Sequence, residues 1–109
     1  MVTWIHGASG MGKTTLARKM ADDSTVLLDG DDMRKVWPEL GFSKEDRTLN
    51  NLRIARLARV FDLQGFNVVV ATICPYEDLR AQVQVITNCR FIHLEPTEDV
   101  KTWPSGDGS

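Results

Sequence analysis

The sequence predicts an α/β fold with a mostly parallel sheet of about four strands. Short apolar runs rich in β-branched residues alternate along the chain with segments of helical periodicity. The most apolar run, residues 66–73, is continuous rather than alternating, which is typical of a strand buried on both faces of a parallel sheet. Because such sheets carry helices on both faces, we expect three layers.

The composition fits one small domain. The chain has 109 residues, of which 42% are hydrophobic and 26% charged, enough for a single core. Its net charge of −2 gives no reason to expect a nucleic-acid or membrane surface. We see neither a signal peptide nor the roughly 20 consecutive apolar residues of a membrane span. Cys74 and Cys89 form no C-x-x-C pair, so we expect reduced thiols in a cytoplasmic protein.

The first strand and the first helix flank a glycine-rich segment. Residues 2–6 are β-branched and aromatic and predict a strand, whereas residues 15–21 predict a helix. Residues 7–14 fit G-x-x-x-x-G-K-[ST], the phosphate-binding P-loop, at every fixed position. The glycines allow a nest of inward-pointing N–H groups, Lys13 would reach the β- and γ-phosphates, and the Thr14 hydroxyl would ligate Mg²⁺. The residues expected to bind the nucleotide are Gly7, Ala8, Ser9, Gly10, Met11, Gly12, Lys13, Thr14 and Thr15.

The motif in this context predicts that the chain binds a nucleoside triphosphate. A glycine-rich turn with a surface lysine is the alternative, and the flanking strand and helix argue against it. The expected architecture is therefore the three-layer sandwich of P-loop NTPases.

A second strand, residues 25–28, runs into an acidic turn at residues 29–32. We expect this turn to separate the strand from one or two helical turns over residues 33–36, which Pro38 then stops.

A long helix is predicted from Ser43, a capping residue, to Gln64, with Gly65 ending it. The buried strand at residues 66–73 follows.

Another helix is predicted over residues 77–87, and a fourth strand over residues 89–94. His6 and His93 lie in strand-like segments and are expected to be core or edge residues. We divide the chain into a P-loop core at residues 1–94 and an irregular tail at residues 95–109.

The carboxyl ends of parallel strands form one edge of a sheet, where ligands bind in α/β folds. Three segments follow predicted strands there: residues 7–14, 29–34 and 74–76. We expect them to converge.

Together these segments resemble adenylylsulfate kinase, which phosphorylates the 3′-hydroxyl of adenosine 5′-phosphosulfate (APS). The matching segments are Gly7–Thr15, residues 28–34 for D-G-D-x-x-R, residues 40–47 for L-G-F-S-x-x-x-R, Asn50 with Arg53, and residues 73–76 with Arg80 for I-S-P-Y. Asn51 is an alternative to Asn50 as the matching asparagine. The order and spacing hold over residues 2–94.

The resemblance implies ATP and Mg²⁺ as cofactors, APS as the acceptor, and Lys13 and Asp31 as catalytic residues. Thr14 and Asp31 are the implied metal ligands, and Asp29 is the alternative to Asp31. The alternative without a catalytic role is that these aspartates belong only to a solvated acidic turn. The implied acceptor-binding residues are Asp29, Asp31, Arg34, Phe42, Arg47, Asn50, Arg53, Ile73, Cys74 and Pro75. Arg53 fits a solvated helix face equally well, and Phe42 fits a small-core contact.

The chain departs from the family pattern in three places. Cys74 replaces a serine, Ala8 replaces a frequent leucine, and the sequence stops at Ser109, before the family's lysine- and arginine-bearing lid. We therefore expect slow catalysis, or a wall supplied by another subunit, and the open sheet edge supports a homodimer. A P-loop kinase for another small-molecule or nucleotide acceptor and a non-catalytic ATP-binding protein are the alternative functions.

Overall fold

Four parallel strands form one sheet in the order β2-β3-β1-β4. The computed structural model describes residues 1–8, 10 and 12–94. In chain order the elements are β1 (Val2–Gly7), α1 (Lys13–Met20), β2 (Thr25–Asp29), α2 (Gly30–Val36), α3 (Lys44–Leu63), β3 (Asn67–Thr72), α4 (Glu77–Thr87) and β4 (Arg90–Leu94). The predicted fold class is confirmed.

Both faces of the sheet are covered, because side chains along β1 alternate between two cores. Trp4 packs on one face with Ile54 of α3 and Val83 of α4. Ile5 packs on the other face with Ala17 of α1. All six residues of β1 are buried, so the strand that leads into the glycine-rich loop is fixed from both sides.

Helix α2 begins earlier than predicted. The acidic turn at residues 29–32 was expected to precede the helix, but Gly30 is already its first residue. The reason is the Asp29 carboxylate, whose Oδ1 accepts hydrogen bonds from the backbone N–H groups of Asp31 (2.9 Å) and Asp32 (3.3 Å). An aspartate at this position satisfies N–H groups that have no partner within the helix, so it starts the helix rather than interrupting it.

The predicted capping of α3 is confirmed. Ser43 Oγ accepts a hydrogen bond from the backbone N–H of Asp46 at 3.1 Å. Gly65 follows the helix with φ of 90°, a left-handed conformation that favours glycine. Among the described residues no helix is both long and apolar enough to cross a membrane. The predicted tail, residues 95–109, and with it the division at residue 94, lie outside the described residues.

Candidate active site

A cleft of about 230 Å³ opens where the carboxyl ends of β1, β2 and β3 meet. Its lining consists of Gly10, Lys13, Thr14, Asp29, Gly30, Asp31, Arg34, Asn50, Ala71, Thr72 and Ile73. The expected convergence is confirmed for the segments that follow β1 and β2. From β3 the cleft receives the last two strand residues and Ile73, rather than the predicted segment 74–76.

The glycines of the loop after β1 have two different tasks. Gly10 and Gly12 have φ of 85° and 84°, so each takes a conformation that side chains disfavour. Gly7 permits a close approach, because a Cβ atom there would lie 2.7 Å from the backbone oxygen of Leu94 in β4. Two of the predicted nucleotide-binding residues, Ser9 and Met11, lie outside the described residues.

Lys13 is folded back over its own loop. Its Nζ donates a hydrogen bond to the backbone oxygen of Ala8 at 2.9 Å. Desolvation by partial burial lowers the pKa of Lys13, while the charges of Asp31 and Asp29 act in the opposite direction. The ammonium group therefore sits at the cleft beside two carboxylates, in reach of the loop that the sequence assigns to phosphate.

Asp29 connects the glycine-rich loop to α2. Thr14 Oγ1 donates a hydrogen bond to Asp29 Oδ2 at 2.8 Å, while Asp29 Oδ1 caps α2. The Thr14 hydroxyl is thus hydrogen-bonded to Asp29, the predicted alternative to Asp31, and not to Asp31 itself. Thr15, also predicted to bind nucleotide, is exposed and is not among the lining residues.

Asp31 and Arg34 form an ion pair on one turn of α2, with Arg34 NH1 3.0 Å from Asp31 Oδ1. The Asp31 side chain is 80% exposed, whereas that of Arg34 is only 12% exposed. The guanidinium carbon of Arg34 lies 4.5 Å from the ring centroid of the exposed Phe42. Phe42 therefore contacts a lining residue but does not itself line the cleft. Arg34 Nε is buried without a hydrogen-bond partner, and the residue lines the cleft with a planar guanidinium group that suits an anionic ligand.

The adjacent asparagines of α3 have separate surroundings. Asn50 lines the cleft, accepts a hydrogen bond from Trp37 Nε1 at 2.7 Å, and donates one to the backbone oxygen of Gly30 at 3.4 Å. Asn51 instead accepts a hydrogen bond from Thr72 Oγ1 at 2.7 Å in the core. The sequence carries no signal for which of the two asparagines lines the cleft.

Five predicted acceptor-binding residues do not line the cleft, and the exposed Phe42 is one of them. Arg53 forms an ion pair with Glu39 at 2.9 Å, as expected for a helix-face arginine. Arg47 is half-buried and its Nε has no hydrogen-bond partner. The Cys74 side chain belongs to the core, where burial raises the pKa of its thiol to about 12, and Pro75 is exposed.

His6 is a core histidine, as predicted. It is 7% exposed and stacks on His93 of the neighbouring strand with ring centroids 4.5 Å apart. Burial, followed by the charges of His93 and Arg80, lowers the pKa of His6 to about 4. The imidazole is therefore neutral at physiological pH, and it belongs to the strand core rather than to the reacting groups.

Comparison with known proteins agrees with this geometry. The family model for adenylylsulphate kinase matches residues 1–102. The adenylyl-sulfate kinase of Paraburkholderia xenovorans is 39% identical over 100 residues, covering 85% of this chain and 56% of the relative. The chain spans about half the length of the curated relatives it matches.

Two solved structures have the same fold and more than 30% identity. The Mycobacterium tuberculosis APS kinase CysC in complex with AMPPNP and APS superposes with a TM-score of 0.74 at 31% identity, covering 92% of this chain and 65% of that chain. The hexameric APS kinase from Thiobacillus denitrificans gives a TM-score of 0.77 at 32% identity, covering 89% of this chain and 23% of that chain. The chain therefore belongs to the adenylylsulphate kinase family.

Proposed function

We propose that the chain transfers the γ-phosphoryl group of MgATP to the 3′-hydroxyl of APS, giving ADP and 3′-phospho-APS. The observation that carries the proposal is the single cleft that joins Lys13 and Thr14 to Asp31 and Arg34. Phosphoryl transfer depends mainly on positioning and on neutralising charge around the γ-phosphate, and this set supplies both. Family membership, and a relative whose structure holds AMPPNP and APS, support the choice of substrates.

Lys13 binds the β- and γ-phosphates in this proposal. Its bond to the Ala8 oxygen is to a neutral acceptor of the same loop, so phosphate oxygens can replace that partner with a stronger, charge-assisted one. The N–H groups at the start of α1, after Gly12, add donors and a partial positive charge.

The oxygen donors at the cleft fit Mg²⁺. Thr14 Oγ1 donates a hydrogen bond to Asp29, and this orients the hydroxyl lone pairs away from that carboxylate. A hydroxyl, carboxylates and phosphate oxygens are the hard ligands that Mg²⁺ takes in kinases. When bound, the ion would neutralise β- and γ-phosphate charge. We keep Thr14 and Asp31 as its ligands and assign Asp29 to orienting Thr14.

Asp31 is the proposed base. Asp29 has both carboxylate oxygens engaged, one by Thr14 and the other by the start of α2. Asp31 lines the cleft, its side chain is 80% exposed, and its Oδ1 pairs with Arg34. It is therefore the better placed carboxylate to orient or deprotonate an incoming hydroxyl.

Arg34 and Asn50 are the proposed acceptor contacts on the lining. The planar guanidinium fork of Arg34, a lining residue, suits a phosphate or sulfate group. Asn50 is fixed by Trp37 and Gly30, so its position at the cleft is rigid. Acceptor binding by Phe42, Arg47, Arg53, Ile73, Cys74 and Pro75 stays a prediction.

A coupled ADP-release assay with MgATP, with and without APS, tests the proposal. We expect ADP release that depends on APS. Nucleotide binding without APS-dependent release would remove this function. An acceptor screen would then separate a kinase of another acceptor from a non-catalytic ATP-binding protein.

Self-association and location belong to the same proposal. We propose a homodimer formed at a sheet edge, since β4 pairs only with β1 among the described strands. A mass of one subunit at micromolar concentration in sedimentation equilibrium would refute it. The free thiols of Cys74 and Cys89 accord with the proposed cytoplasmic location.

A further inference from the structure

A buried chain of three polar side chains runs behind the cleft. Asn51 is 1% exposed, and its Nδ2 donates to the backbone oxygens of Arg47 (2.8 Å) and Ile73 (3.2 Å). Its Oδ1 accepts from Thr72 Oγ1 at 2.7 Å, and Thr72 Oγ1 accepts from Trp4 Nε1 at 3.0 Å. The donors and the acceptor of the Asn51 side chain are all engaged, which holds α3, β3 and β1 in one arrangement.

The network ends at the wall of the cleft. Thr72 and Ile73 both line the cleft, whereas Asn51 does not. The next backbone oxygen, that of Cys74, accepts a hydrogen bond from Arg80 NH1 at 2.8 Å. Two successive carbonyl groups after β3 are thus held by side chains from α3 and α4, so the wall is pinned at consecutive residues.

The same wall touches α2. A Cβ atom on Gly30 would lie 3.2 Å from Thr72 Cγ2, so the threonine methyl group packs against the first residue of that helix. Gly30 directly precedes Asp31, the proposed base. A displaced Thr72 would therefore shift the wall where it packs against Gly30, next to the proposed base.

We propose that Asn51 is a positioning residue for the acceptor nucleotide, acting through the wall formed by Thr72 and Ile73. The inference rests on the proposed function. The phosphate loop takes its shape from Gly10 and Gly12 and is tied to Asp29 through Thr14. Among the described residues, the side-chain hydrogen bonds of Asn51 go to Arg47, Thr72 and Ile73 and not to this loop. Loss of Asn51 should therefore weaken acceptor binding and leave ATP binding nearly unchanged.

The variant Asn51→Leu keeps similar volume and removes the polar contacts. We expect the Kd for APS, measured by calorimetry on the purified chain, to rise about ten-fold, and the Kd for AMPPNP with Mg²⁺ to change less than about two-fold. The matched control is Thr87→Val, because Thr87 is 2% exposed and donates a 2.8 Å bond to the Val83 oxygen within α4, away from the cleft lining. It should leave both Kd values unchanged.

The outcomes separate the two hypotheses. If the wild-type chain binds AMPPNP but not APS, the proposed function fails, and the acceptor role of Asn51 falls with it. If wild type binds both, an unchanged Kd for APS in Asn51→Leu, or an equal weakening of both nucleotides, overturns only the role of Asn51. If Asn51→Leu does not fold, Thr72→Val decides, with an expected rise of about three-fold in the Kd for APS alone.

Discussion

Two groups of predicted site residues differ in how they are held. The inner residues, Lys13, Thr14 and Asp29, line the cleft, and Thr14 is hydrogen-bonded directly to Asp29 at 2.8 Å. The outer group, Phe42, Arg47, Arg53, Cys74 and Pro75, lies off the cleft lining. Within it, Arg53 is engaged by Glu39 and the Cys74 side chain is part of the core.

The difference follows from chain distance. The inner residues belong to short connections between a strand and a helix, where the loop itself sets the side-chain positions. The outer group is spread over a loop, a 20-residue helix and the segment after β3, so its geometry depends on how these elements pack. Substitutions of the inner residues should therefore lower turnover, whereas substitutions in the outer group should change turnover and acceptor binding only weakly.

Lys13→Ala should have the largest effect. Removing the ammonium group leaves the developing charge on the phosphates without its nearest cation, so we expect APS-dependent ADP release to fall about a thousand-fold. The control is Lys19→Ala, an exposed lysine on the same helix, which should retain wild-type turnover. Equal turnover of Lys13→Ala and wild type would show that the inner residues are not the site of phosphoryl transfer.

Asp31→Asn tests which carboxylate activates the acceptor. Since the amide cannot take a proton, we expect kcat to fall about a hundred-fold with little change in the Kd for APS. Asp32→Asn is the matched control, because Asp32 is 72% exposed and its recorded ion partner is Lys35, at 3.7 Å. A larger loss in Asp32→Asn than in Asp31→Asn would contradict the assignment.

Arg34→Ala and Arg53→Ala compare one cleft arginine with one outer arginine. Arg34 lines the cleft with a guanidinium group that suits an anionic ligand, and we expect its loss to raise the Kd for APS about thirty-fold. Arg53 is already paired with Glu39, so Arg53→Ala should change that Kd less than about three-fold. The reverse order would show that APS lies along α3 rather than in the cleft.

Lowering the pH should destabilise the strand that carries the phosphate loop. Burial holds the pKa of His6 at about 4 in the folded chain, below the ordinary value of 6.5 for a histidine. Between these values the unfolded chain binds a proton that the folded chain does not, so the free energy of unfolding falls as the pH falls. We expect a loss of about 3 kcal/mol from pH 7 to pH 4 in urea unfolding. His6→Phe should remove most of this loss, and a variant with the same loss would contradict the cause.

Local signals predicted most of the fold. Ser43 and Gly65 bound α3 as expected, and α4 covers residues 77–87 as predicted, because capping and periodicity are encoded within a few neighbouring residues. The start of α2 was placed too late, because Asp29 was interpreted as a turn residue rather than a cap.

The site was less accessible to sequence reasoning wherever contacts are distant in the chain. The bond between Trp4 and Thr72 joins residues 68 positions apart, and the one between Thr72 and Asn51 joins residues 21 apart. The sequence around residues 50 and 51 does not distinguish Asn51, which bonds to Thr72 in the core, from Asn50, which lines the cleft.

Ser43→Ala is the smallest expected change, and it tests the segment between Phe42 and Arg47. Its hydroxyl accepts the backbone N–H of Asp46, so its loss should lower the free energy of unfolding by about 1 kcal/mol. Ser43→Asp retains an acceptor and should keep wild-type stability. Because the outer group lies off the cleft, Ser43→Ala should leave the Kd for APS within about two-fold of wild type. A larger rise would mean that the cap fixes Phe42 and Arg47 for the acceptor, and that the outer group joins the site when APS binds.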